Sequence, residues 1–79
     1  MRNIAEMTSS AGDRITVMHW NQKYVIRVER GPMEQVYKLD ALDFDGPDTL
    51  CARLDEAFGT HCSSVFQKMS AELATLSGN

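Results

Sequence analysis

The sequence predicts an α+β fold: an antiparallel meander of three strands, or four, with two C-terminal helices packed on one of its faces. Three observations predict it. Residues 14–38 alternate apolar and polar positions three times over, the period of a strand. Asn21-Gln22 and Gly31-Pro32 interrupt the alternation briefly, and short connections in series make successive strands antiparallel. Beyond Pro47 the apolar spacing becomes helical, and helices that follow a meander bury their stripes against it as a second layer.

Taken in order, residues 1–13 are polar apart from Ile4 and Met7 and read as a flexible N-terminal segment ahead of a single domain over 14–77. The first strand spans Arg14 to Trp20 and the second Lys23 to Arg30. Gly31-Pro32 ends the second, because proline cannot donate to a ladder, and Glu34 to Leu39 makes the third. Asp45-Gly46-Pro47-Asp48 starts a helix: Pro47 suits the first helical position and Asp48 the positive end of the dipole. Leu50, Cys51, Leu54, Ala57 and Phe58 share a face and Gly59 closes the helix, giving 47–58. Ser64 with Gln67 has the form of a capping box for a second helix over 64–76, whose buried face is Val65, Phe66, Met69, Leu73 and Leu76.

At 79 residues, with 43% hydrophobic and 24% charged content, the chain is one small globular domain. No apolar run approaches bilayer thickness and the N-terminus lacks an apolar leader, so the expected location is cytoplasmic, away from membranes. Cys51 and Cys62 do not make a disulfide framework. With His61 and His19 they also lack the paired spacing of a structural zinc site, so both thiols read as packing groups, with no metal and no cofactor. No nucleophile elbow, phosphate loop, dinucleotide glycine run or zinc-peptidase motif occurs, which points away from an enzyme.

The net charge of −3 conceals an asymmetry. Residues 14–38 hold five cations against two carboxylates, and residues 40–56 hold six carboxylates against Arg53. A basic sheet is thus joined to an acidic elbow. Trp20, Tyr24, Arg27 and Lys38 raise the question of a stacking, nucleic-acid-binding sheet. A pI near 5.2 and the elbow oppose it, and no direct contact with nucleic acid is expected.

Strand alternation separates two sheet faces. Ile15, Val17, Tyr24, Ile26, Val28, Tyr37 and Leu39 form the core side. Met18, Trp20, Val25, Arg27, Glu29, Val36 and Lys38 form the other, which two helices cannot also cover. Apolar groups rimmed by charge on an open face mark a partner site. The candidate partner-binding residues are Met18, Trp20, Arg27, Glu29 and Lys38 on the face, with Asp43, Asp45 and Asp48 in the elbow.

The order of motifs also carries a resemblance. Ile15-Thr16-Val17 precedes Arg27-Val28-Glu29; Ala41-Leu42-Asp43-Phe44-Asp45 leads into a helix with Leu50 and Leu54; a last helix carries Val65 and Met69. Over roughly residues 15–72 this resembles the small phage anti-CRISPR proteins that inhibit type I CRISPR-Cas surveillance complexes (Cascade), which have an antiparallel sheet backed by two helices. The resemblance implies a protein that binds the crRNA-guided complex on its backbone or another subunit and blocks target DNA binding, in the host cytoplasm if phage-encoded. It also implies a binding role for Glu29, which matches the family's glutamate. Met18 and Glu6 stand where the family has tyrosines. The alternative is a small homodimeric or heteromeric adaptor of unrelated role; with an open sheet, a monomer is expected rather than a homodimer.

Overall fold

In a computed structural model that describes residues 1–78, the chain runs β1 (Arg2–Thr8), β2 (Arg14–Trp20), β3 (Lys23–Arg30), β4 (Met33–Asp40), a 3-10 turn at Ala41–Asp43, α1 (Pro47–Arg53) and α2 (Glu56–Leu76). The strands form one antiparallel sheet in chain order, so the meander has four strands. No helix among the described residues is long and apolar enough to cross a membrane.

The fourth strand comes from the segment expected to be flexible. Residues 2–8 pair with β2 from Arg2–His19 to Thr8–Arg14, with a bulge between Asn3 and Ala5. Ile4, Ala5 and Met7 pack against the core, and the polar residues between them had masked that alternation. The domain therefore begins at β1. Asp13 ends the loop that follows, and its side chain is buried rather than part of a tail.

Asn21 and Gln22 sit at φ +54° and +63°, both left-handed, as a two-residue I′ turn requires. Gly31, at φ +55°, gives the β3–β4 turn its left-handed position without steric cost. These turns set the register in which Val17 opposes Ile26 and Ile26 opposes Tyr37. The core collects on that face: Ile15, Val17, Tyr24, Ile26 and Val28 close with Leu50 of α1 and Cys62 and Phe66 of α2. Tyr37 and Leu39, nearer the edge, are half-buried.

The helices divide elsewhere than expected. α1 stops at Arg53, and Asp55 starts α2 by accepting a hydrogen bond from Phe58 N at 3.1 Å. Gly59 lies inside α2, buried, where a Cβ would sit 3.2 Å from the Ser9 Cβ, so it permits close packing instead of ending a helix. Ser64 and Gln67 accordingly cap nothing. Of the residues expected on the two helical core faces, Leu50 and Phe66 are buried and Cys51, Leu54, Phe58, Val65 and Met69 are half-buried, but Ala57 is exposed, Leu73 is 48% exposed and Leu76 80%. From Ser70 onward every described residue is exposed, because α2 is longer than the sheet beneath it.

Candidate partner interface

The face opposite the helices carries Asn3, Glu6 and Thr8 of β1; Arg14, Thr16, Met18 and Trp20 of β2; Lys23, Val25, Arg27 and Glu29 of β3; and Glu34, Val36, Lys38 and Asp40 of β4. None of these belongs to the cluster that packs on the helices. All five face residues singled out from sequence are thus brought onto one surface.

Their roles within it differ. Met18 opposes Asn3 on one side and Val25 on the other, in an inner strand of the sheet, and is only 7% exposed. It is a floor for the surface and not a projecting anchor, which corrects the sequence expectation. Trp20, at the end of β2, is 53% exposed and is the large aromatic that protrudes. Val36 on β4, opposite Arg27, is 46% exposed and extends the apolar area.

Charge is arranged in pairs along this surface. Arg14 Nη2 donates to Glu6 Oε1 at 2.7 Å, and this contact holds the Arg14 pKa above its ordinary value. Lys23 Nζ lies 3.9 Å from Asp40 Oδ2. Arg27 Nε is 3.6 Å from Glu29 Oε1, an ion pair too long for a hydrogen bond. Arg27 Nε and, on the facing residue of β2, Thr16 Oγ1 are buried polar atoms with no hydrogen-bond partner. Unpartnered buried polar atoms carry a desolvation penalty, so the Thr16–Arg27 position is a local cost to the fold. Lys38, opposite Val25, is exposed.

The acidic elbow adjoins the Trp20 end of this surface. Ala41 N donates to Gln22 O at 3.0 Å, pinning the elbow to the turn that follows Trp20. Asp40 caps the 3-10 turn through Leu42 N at 3.0 Å, and Gly46 begins α1 without a side-chain cap. Asp43, Asp45 and Asp48 are therefore not consumed by capping: all three are exposed, and none forms an ion pair among the described residues. Leu42, 88% exposed beside them, is an apolar contact that sequence reading missed. Its signal was a lone leucine in an acidic turn too short to enclose it.

On the helix side a cleft of about 340 Å³ lies between the β1–β2 loop and the α1–α2 junction, lined by Met7, Ile15, Leu54 and Asp55 among others, and another of about 380 Å³ lies between Ser10, Ala11 and the Gly59–Gln67 face of α2. Both cysteines are free thiols, and burial raises the Cys62 pKa. The arrangement suits recognition by a broad surface. Comparison with protein-family models, curated proteins and solved structures finds no match to this chain.

Proposed function

We propose that this chain is an anti-CRISPR protein that binds a type I crRNA-guided surveillance complex through protein–protein contacts and blocks its binding to target DNA. The observation that carries the proposal is the sheet face turned away from the helices, which exposes Trp20 at one end and Val36 beside the loosely paired Arg27 and Glu29 toward the other. Aromatic and arginine side chains at the centre of a contact supply most binding energy. An antiparallel sheet backed by two helices is the architecture that the sequence resemblance implies, and Glu29, at the resemblance's glutamate, lies on the side away from the helices.

In this reading Trp20 inserts between partner side chains while Met18 and Val25 form the dry floor beneath. Arg27 and Glu29 exchange their 3.6 Å pairing for partner groups of opposite charge. Asp43, Asp45 and Asp48 face a basic surface, which any subunit that holds nucleic acid must offer. The protein sits in the host cytoplasm and makes no contact with DNA itself.

The test combines purified type I complexes with the chain and measures both complex formation and target DNA binding. Trp20→Ala and Glu29→Arg should each weaken complex formation at least tenfold while the circular dichroism and melting temperature stay near wild type. Full DNA binding at saturating protein across the type I subtypes would sink the anti-CRISPR reading. Inhibition unchanged in both variants would remove the sheet face from it.

A further inference from the structure

The free edge of β4 is complementary to itself. Lys23 opposes Asp40, and Ala41 N donates to Gln22 O just outside that pair, the pattern that brackets a non-bonded antiparallel pair. The two-residue turn at 31–32 agrees, since it makes Arg30 and Met33 a bonded pair. The odd-numbered residues of β4 therefore bond to β3, and Glu34, Val36 and Lys38 direct their backbone groups at the free edge. The same three residues are exposed on the open face, and neither Glu34 nor Lys38 has an ion-pair partner among the described residues. Outward from Val36, Gln35 is matched by Tyr37, Glu34 by Lys38 and Met33 by Leu39.

We propose, in place of the monomer expected from sequence, that β4 pairs antiparallel with β4 of a second copy about a two-fold axis through Val36. In that register Val36 faces its own counterpart, and Glu34 of each copy faces Lys38 of the other. The bonded positions are the three whose backbone groups point outward. A register two residues further would set Glu34 against Asp40 and lose the charge match. The opposite edge offers no equivalent, because a bulge interrupts β1 near Ile4 and Glu6 is already bonded to Arg14. The axis is normal to the sheet, so an eight-stranded sheet results with both Trp20 faces on the same side. Such a dimer would present two copies of the surface to a repetitive partner. The inference goes beyond the proposed function and does not depend on it.

Sedimentation equilibrium of the full chain, over a concentration series into the high micromolar range, tests the pairing without any partner. Wild type should shift from 8.9 kDa toward twice that mass. Glu34→Lys or Lys38→Glu places like charges together twice per dimer and should weaken association about tenfold; the double exchange should restore it. Val36→Pro removes an outward N–H and should leave a folded monomer by circular dichroism. A wild-type chain monomeric throughout, single variants that associate like wild type, or a double exchange that restores nothing would each overturn the proposal. So would an association abolished by Leu73→Asp and untouched by the edge variants, which would place the contact on α2.

Discussion

Arg30 holds Asp13 in a two-point clasp, Nε to Oδ1 at 2.6 Å and Nη2 to Oδ2 at 2.8 Å, with the Asp13 side chain 1% exposed. The same guanidinium donates to Ser63 Oγ at 3.1 Å and lies 5.0 Å from the centre of the Phe66 ring. One side chain thereby joins the β1–β2 loop, the end of β3 and the middle of α2. Gln35 adds a second polar tie, donating to the Cys62 carbonyl at 2.9 Å and accepting from Tyr37. These bonds orient α2 on a sheet whose apolar contacts alone would tolerate sliding.

Asp13→Ala should leave the guanidinium inside that junction without its acceptor. The melting temperature should fall by roughly 10 °C, since a missing partner removes more than the net worth of the bond. Thermal denaturation followed at the α-helical signal checks it, and an unchanged transition would remove the clasp from the account of stability.

Phe66 is fully enclosed at the centre of the helix–sheet contact. Phe66→Ala should destabilise by about 3–5 kcal/mol, a large share of what a domain of this length has. Urea denaturation would report it as a lower midpoint. Leu73→Ala, at a position 48% exposed, should change the midpoint little.

Gly59→Ala separates helix propensity from packing. In an open helix the change would stabilise by up to about 1 kcal/mol. Here the new Cβ would meet the Ser9 Cβ at 3.2 Å, and Ser9 is held by Asp13 through Ser9 N to Asp13 O at 2.9 Å and Asp13 N to Ser9 Oγ at 3.1 Å. The variant should therefore melt below wild type.

Burial raises the Cys62 pKa in the folded state, with the nearby Tyr37 hydroxyl opposing the shift. A thiol that stays protonated in the native protein but ionises when unfolded binds more protons in the native state, so stability is full at neutral pH and declines as pH rises past about 8.5. Melting temperatures across the alkaline range should fall less steeply in Cys62→Ala than in wild type, from a lower starting value. Half-buried Cys51 should react with a maleimide faster than Cys62 in the folded chain.

Reversing the elbow charges, Asp43→Lys with Asp45→Lys and Asp48→Lys, should act on encounter with a basic partner. Association should slow about tenfold at low salt and converge on wild type as salt rises, with dissociation nearly unchanged. Under the proposed function, stopped-flow binding to a type I surveillance complex reads both rates.

The alternation of residues 14–38 was sufficient to place three strands and to divide their two faces, because side-chain direction follows from strand period alone. Pro47 likewise marked the first turn of α1 from its fixed dihedral. Three outcomes needed the assembled molecule. Residues 2–8 join the sheet because β2 offers them a ladder and the core takes up Ile4, Ala5 and Met7, a gain invisible in a polar segment read alone. Gly59 lies within α2 because Ser9, fifty positions earlier, approaches it, and local rules read glycine only as a stop. Among the binding candidates, sequence assigned the shared face, but exposure depended on neighbours across strands: Met18 is enclosed by residues beside it, while Trp20 at the strand end protrudes. Periodicity determines direction; enclosure depends on what other parts of the chain bring alongside.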